Sequence, residues 1–211
     1  MKRASLSPSR APRAQLCIFV LAITLGASGS HGEYAPQEGD VVFQSLPHNP
    51  LIDTIEGSTG SPFSHCGILR KAGVIWKVIE AIGPVKETDL DAWEKQGRDG
   101  QFTVYRLKPR YRDKIPTFIT AAQSYEGLPY DYHYEMDDRA IYCSELIYKA
   151  FRKATGEELG HLQKLGELKW QPYAPVIKQL EGGTVPLDRV LITPRSVSEA
   201  PQLEKVFEQA K

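Results

Sequence analysis

The sequence has no excess of either charge sign, no internal repeat and no low-complexity segment. Its 211 residues contain 26 lysines plus arginines and 26 aspartates plus glutamates, so the net charge is zero. A balanced charge argues against a nucleic acid or an anionic membrane as the partner. At this length, with an ordinary composition, one globular domain is expected.

An apolar run long enough to cross a membrane is also missing. The most apolar stretch, Leu16–Leu25, has about ten residues, roughly half of what a spanning helix needs. Basic residues without any acid precede it, and small residues follow it at positions 26–30, which is the order of a secretory signal peptide. We therefore predict a signal peptide over residues 1–30 and a mature domain over residues 34–211 that is secreted or periplasmic.

Cysteines are few, and metal-binding motifs are absent. No Cys-x-x-Cys or His-x-x-x-His pair occurs, so we expect no metal and no cofactor. Removal of the signal peptide leaves Cys66 and Cys143. Because secretory compartments favour disulfides, a Cys66–Cys143 bridge in a non-catalytic binding module is one hypothesis for this pair.

The chain contains a series of strands followed by a series of helices. Alternating or β-rich segments predict strands at residues 39–44, 63–69, 74–82 and 102–107, the second and third forming a hairpin. A loop is expected at 57–62, helices at 86–96, 116–125, 141–154 and 175–180, and a last strand at 187–192 before a polar tail. Hairpins rather than β-α-β units predict an α+β fold with an antiparallel sheet packed against helices.

One cysteine stands where the third predicted helix begins. Cys143 shares the spacing of a buried helical stripe with Leu146, Ile147, Ala150 and Phe151, so it points into the core. A buried thiol is usually inert, but helix N-terminal amides and a nearby imidazolium favour the thiolate. The backbone N–H of Cys143 could then hold an oxyanion.

His65 and Glu80 are the candidates for the imidazole and an orienting acid. Strand alternation puts His65 on one face with Gly67, which would leave space beside the ring, and puts Cys66 on the other face, away from Cys143. A disulfide and a Cys143–His65 pair would then exclude each other. Glu80 shares a face with apolar residues, where a carboxylate needs a donor, although exposure at a sheet edge is the alternative. Nucleophile, base and acid together suggest nucleophilic catalysis.

Four segments in register carry a family resemblance: Gly39–Gln44, Ser64–Ile68, Val78–Ala81 and Tyr142–Leu146. Together they resemble the YiiX/YaeF-type permuted papain-like cysteine hydrolases, circularly permuted relatives of the NlpC cell-wall peptidases and of lecithin retinol acyltransferase. The resemblance implies a papain-like, circularly permuted NlpC-type fold. It also implies a Cys143–His65–Glu80 triad whose histidine and acid precede the cysteine. Cys66 departs from the family pattern and leaves a redox role open.

The sequence therefore predicts a cysteine hydrolase of the amidase or peptidase type. It would act through a thiolate and an acyl-enzyme on amide bonds in cell-wall peptides or related amides, in association with the cell envelope. Candidate substrate contacts are Tyr142, Gln44, Ser144, Tyr130 and Trp170, with Gln44 and Ser144 near the oxyanion. Two alternatives stay open: an acyltransferase or lipid thioesterase with the same triad and a lipid-like acyl substrate, which an apolar cleft would favour, or the disulfide-bridged binding module.

Overall fold

An antiparallel sheet of six strands forms the centre of the domain. The computed structural model describes residues 34–209, so the predicted signal peptide lies outside the described residues. In chain order the strands are β1 (Val41–Gln44), β2 (His65–Ala72), β3 (Ile75–Ala81), β4 (Val85–Asp89), β5 (Phe102–Leu107), β6 (Gln163–Lys164), β7 (Val190–Leu191) and β8 (Leu203–Glu208). The large sheet has the order β4-β3-β2-β1-β5-β8, and β6 pairs with β7 in a separate ribbon.

Six α-helices accompany the strands in the described part of the chain. They are α1 (Pro50–Thr59), α2 (Leu90–Gln96), α3 (Ile115–Gln123), α4 (Cys143–Thr155), α5 (Ala174–Leu180) and α6 (Pro194–Ser198). None of the described helices combines the length and apolarity needed to span a membrane. The predicted α+β class with an antiparallel sheet is confirmed.

Three segments differ from the predictions, two because strand pairing overrides the local pattern and one because its helix caps lie outside the predicted bounds. Residues 85–89 extend the β2–β3 hairpin as β4, so the helix predicted from residue 86 begins only at Leu90. The predicted polar tail contributes β8, which pairs with β5 at the sheet edge. Helix α1 runs into the predicted loop: the Asn49 side chain caps its first amides, and Gly60, with a φ of 64°, ends it.

The two faces of the sheet pack against different helices. One face carries Val41, Phe43, Cys66 and Ile68 and is buried with residues of α3 and α4. The opposite face carries Val42, Leu69 and Val78 and is buried with Leu90 and Trp93 of α2. Strand alternation therefore places Cys66 toward α4 and its neighbour His65 on the α2 side, where the His65 ring lies 6.1 Å from the Trp93 ring.

Helix α4 buries the stripe that its sequence predicts. Leu146, Ile147, Ala150 and Phe151 are fully buried, and Cys143 is 3% exposed. At its start the backbone N–H of Tyr142 donates to the Glu145 carboxylate at 3.2 Å, and Gly156 ends it with a φ of 78°. These contacts cap both ends of the helix and hold Cys143 in its first turn.

The sequence suggested open space beside Gly67, but residues of β3 fill this space. A Cβ atom at this position would lie 2.3 Å from Val78 Cγ1 and 2.9 Å from the backbone oxygen of Ile79. Gly67 therefore allows β3 to approach β2 closely.

We predict that Gly67→Ala lowers the free energy of unfolding by ~1–3 kcal/mol, because the added methyl group must displace the β3 backbone. Gly83→Ala is the matched control, since nothing lies within 4 Å of its Cβ position and neither glycine has a positive φ. Urea unfolding of both variants checks this. Equal midpoints for Gly67→Ala and Gly83→Ala would contradict the prediction.

Candidate active site

His65 and Glu80 form a buried pair at the beginning of β2. The distance from His65 Nε2 to Glu80 Oε2 is 2.6 Å, and the two side chains are 2% and 0% exposed. In the strand register Glu80 lies opposite Gly67, two residues from His65 on the same face. Because Gly67 has no side chain, nothing stands between the carboxylate and the imidazole. The alternative of a solvent-exposed Glu80 is therefore wrong.

The second carboxylate oxygen of Glu80 has partners that the sequence did not indicate. Thr88 Oγ1 donates to Glu80 Oε1 at 2.5 Å, Gln96 Nε2 donates at 3.3 Å, and Lys86 Nζ lies 3.9 Å away. Burial acts to raise the pKa of Glu80, but the interactions with His65, Thr88 and Gln96 outweigh it and lower the pKa below its usual value. Glu80 is thus a fixed anion beside the imidazole.

Cys143 meets His65 at the N-terminus of α4. Burial acts to lower the pKa of His65, but hydrogen bonds with Cys143 and Glu80 outweigh burial and raise this pKa to about 9. Since Glu80 engages Nε2, Nδ1 is the ring nitrogen that remains for Cys143. The imidazole therefore bridges the thiol and the carboxylate, in the order that nucleophilic catalysis needs.

Cys66 also contacts Cys143, which corrects the prediction that it turns away. A hydrogen bond from the Cys66 side chain is the largest influence on the pKa of Cys143. Burial opposes it, the His65 interactions support it, and the net pKa lies well below the usual thiol value. Strand alternation does separate His65 and Cys66, but Cys143 lies where β2 begins, so side chains from both faces reach its sulfur. Both cysteines are free thiols.

A largely apolar cavity of about 80 Å³ opens beside Cys143. Four of the five predicted substrate contacts line it: Tyr130, Tyr142, Ser144 and Trp170. The apolar lining, which the sequence did not reveal, comes from α1, α5 and the segments around β6 and β7: Leu51, Ile55, Leu165, Leu168, Ile177, Leu180, Leu191, Ile192 and Pro194. The cavity suits an apolar group placed next to the sulfur.

The two predicted oxyanion contacts are Ser144, whose hydroxyl is used in another hydrogen bond, and Gln44, which is not part of the cavity lining. Ser144 Oγ donates to the Ile192 carbonyl oxygen at 2.9 Å, and Tyr142 Oη accepts from the Ile192 N–H at 2.9 Å, so both residues tie the segment after β7 to α4. Gln44 ends β1 opposite His65, but its side chain packs against Gly97 and lines a separate pocket, and it is not part of the Cys143 cavity lining. The backbone N–H of Cys143 at the start of α4 is left as the nearest candidate for an oxyanion contact.

The chain is similar to one described protein family and to proteins of Escherichia coli. A family model described as "permuted papain-like amidase enzyme, YaeF/YiiX, C92 family" matches residues 35–207. The chain is 32% identical over 179 residues to the protein YiiX of Escherichia coli (strain K12), covering 83% of this chain and 88% of YiiX. A crystal structure titled "metalloprotein yiiX" from Escherichia coli O157:H7 superimposes with a TM-score of 0.79 at 32% identity, covering 83% of this chain and 99% of that one. The papain-like fold implied by the resemblance is confirmed.

The word "metalloprotein" belongs to that crystal structure. Within residues 34–209 of this chain, no group of three or more His, Cys, Asp or Glu side chains is arranged to hold a metal ion.

We predict that Glu80→Gln lowers the pKa of His65, because the amide keeps the shape of the side chain but removes the negative charge that stabilises the imidazolium. NMR titration of the His65 ring checks this. Asp89→Asn is the control, since Asp89 is paired with Lys77 on the exposed side of β4. An unchanged His65 titration in Glu80→Gln would contradict the electrostatic role of the carboxylate.

Proposed function

The chain belongs to the permuted papain-like amidase family of the YaeF/YiiX type, and on that premise we propose that it is a cysteine hydrolase that cleaves amide bonds through an acyl-enzyme on Cys143. The observation that carries the proposal is the buried His65–Glu80 pair, 2.6 Å apart, in contact with the thiol at the start of α4. Each group has the residue type and position that its step requires.

Acylation uses the ion pair of Cys143 and His65. The Cys143 thiolate attacks the carbonyl carbon, and the oxyanion that forms lies near the backbone N–H groups at the start of α4. The His65 imidazolium then gives its proton to the leaving amine as the C–N bond breaks. Glu80 holds the ring in place and stabilises its charged form throughout.

Deacylation reverses the role of His65. The neutral imidazole removes a proton from water, and the resulting hydroxide attacks the thioester carbonyl. The C–S bond breaks, the carboxylic acid leaves, and the thiolate–imidazolium pair of Cys143 and His65 is restored. The substrate class that we propose is a cell-wall peptide or a related amide, outside the cytoplasm and near the cell envelope, in keeping with the signal peptide predicted at residues 1–30.

The apolar cavity supports a second candidate, an acyltransferase or lipid thioesterase that uses the same three residues. In such an enzyme a lipid-like acyl chain would occupy the space between Leu168, Ile177 and Leu191. An alcohol or amine would replace water as the acceptor in the transferase. The disulfide-bridged binding module has less support, because Cys143 contacts an imidazole paired with a carboxylate and both thiols are free.

We predict rapid alkylation of Cys143 by iodoacetamide at pH 6, where an ordinary thiol with a pKa of about 8.5 is almost entirely protonated. In His65→Ala the rate at pH 6 should fall on the order of a hundredfold, because the thiolate loses its imidazolium partner. Labelling is mapped by mass spectrometry of the unreduced protein.

In the wild type the activity toward amides should decline above pH 9 as His65 loses its proton, since its pKa is about 9.

His161→Ala is the control for this experiment, because His161 contacts Ser196 and does not line the Cys143 cavity. If Cys143 is alkylated no faster at pH 6 than a free cysteine, the proposed nucleophile is wrong. A Cys143 rate that stays high in His65→Ala would instead exclude His65 as its activating partner.

The dependence of turnover on acyl-chain length distinguishes the amidase from the acyltransferase or lipid thioesterase. If the cavity holds an acyl chain, Leu168→Asn should reduce turnover of octanoyl esters and thioesters more than that of acetyl ones, because it places an amide in the apolar lining. Leu187→Asn is the matched control, since Leu187 is exposed and outside the lining. Activity on peptide amides with no dependence on chain length would favour the amidase.

A further inference from the structure

The hydrolase mechanism leaves one buried thiol at the active site without a role. Cys66 is fully buried on the face of β2 that packs against α4, in the same core cluster as Cys143. Cys66 is the second residue of β2 and Cys143 the first residue of α4, and the two side chains meet in the core between these elements, where each shifts the pKa of the other. Hydrolysis needs only the sulfur of Cys143, so the mechanism does not explain why a second thiol lies beside it.

The two cysteines differ in charge: Cys66 is a neutral thiol and Cys143 is a thiolate. Burial, together with the negative charge on Cys143, raises the pKa of Cys66 well above its usual value, so Cys66 remains a neutral thiol. Cys143 has its pKa lowered by Cys66 and His65 and carries the negative charge. A thiolate with a neighbouring thiol is the arrangement of a redox-sensitive cysteine next to a resolving cysteine.

Access to the two sulfurs also differs. Cys143 lines the cavity and can meet a small molecule that enters it, whereas Cys66 is absent from the lining and has no exposed surface. A diffusing oxidant therefore reaches Cys143 first. Cys66 is protected from direct attack but lies within reach of whatever forms on Cys143.

We propose that Cys66 is a resolving cysteine, which converts Cys143 oxidised by a hydroperoxide into a reversible Cys66–Cys143 disulfide. The proposal rests on the proposed function only in requiring the Cys143 thiolate. It assigns to the pair a second chemistry, reaction with hydrogen peroxide or a small organic hydroperoxide, that stops hydrolysis and protects the nucleophile.

The chemistry balances in two steps. The Cys143 thiolate attacks one peroxide oxygen, the O–O bond breaks, and hydroxide leaves, so that the sulfur is oxidised by two electrons to the sulfenic acid. Cys66 then attacks the sulfenic sulfur, an S–S bond forms, and the hydroxyl group leaves with the Cys66 proton as water. A dithiol reduces the bridge by thiol–disulfide exchange, is itself oxidised to a disulfide, and returns both cysteines to thiols.

Oxidation of Cys143 also favours the second step. In the sulfenic acid the negative charge on Cys143 is gone, and with it one of the interactions that raise the pKa of Cys66. Cys66 thus becomes easier to deprotonate only after its target has formed. Without Cys66, the sulfenic acid would be exposed in the cavity to further oxidation to the irreversible sulfinic acid.

The test uses the reduced, desalted protein exposed to hydrogen peroxide, with the excess removed by catalase. In the wild type we expect an intact mass lower by two hydrogen atoms, a linked Cys66–Cys143 peptide, and full recovery of Cys143 alkylation after dithiothreitol. In Cys66→Ser we expect the addition of two or three oxygen atoms, as sulfinic or sulfonic acid, and a loss of alkylation that dithiothreitol does not reverse. Cys66→Ala repeats the test with a second side chain, and circular dichroism verifies that each variant is folded.

Two results would overturn the proposal, and they separate it from the hydrolase. If unoxidised Cys143 is alkylated rapidly at pH 6 but peroxide yields only oxygen adducts without the linked peptide, the resolving role fails and the hydrolase stands. If Cys143 is unreactive before peroxide is added, both fail. The linked peptide in the wild type decides the question even where a Cys66 variant does not fold.

Discussion

The candidate site depends on the register between β2 and β3. Glu80 lies opposite Gly67, and His65 is two residues away on the same face, so the carboxylate reaches the imidazole across a position without a side chain. A slip of one residue would turn Glu80 to the other face of the sheet and leave His65 without its partner. The close approach of Val78 and Ile79 to Gly67 fixes this register sterically, and β4 completes it by bringing Thr88 to the second oxygen of Glu80. The site is therefore anchored in the most buried part of the sheet, where the backbone moves least.

At the beginning of β2, side chains from both faces of the sheet contact the sulfur of Cys143. Along most of a strand, neighbouring side chains are separated by the sheet itself. Helix α4 begins beside the first residues of β2, so Cys143 is reached by His65 from the α2 side and by Cys66 from the α4 side. This position explains why Cys143 has both an imidazolium and a thiol as partners. The two interactions act in the same direction on its pKa and oppose the cost of burying a charge.

The segment after β7 completes the site from a distant part of the sequence. Ile192 is held to the first turn of α4 by hydrogen bonds with Tyr142 and Ser144, so two of the predicted substrate contacts that line the cavity also fix its wall. With α1, α5 and the β6–β7 ribbon, this segment supplies the apolar surface next to the nucleophile. The catalytic groups are thus held by the sheet and α4, whereas the groups that would choose the substrate come from loops and short helices, the parts of a fold that vary most readily.

The sequence by itself determined the class of fold, the strands at the centre of the sheet, and the three residues of the candidate triad, because each depends on local periodicity or on residue types within short segments. Alternation correctly assigned His65 and Cys66 to opposite faces, and the helical stripe correctly turned Cys143 inward. Only the tertiary structure decided what packs against those faces. It brought Cys66 to Cys143, paired residues 85–89 and the tail with the sheet as β4 and β8, and left Gln44 outside the cavity lining. Periodicity reports the side on which a residue lies, but which segments pair or pack with each other is set by the path of the whole chain.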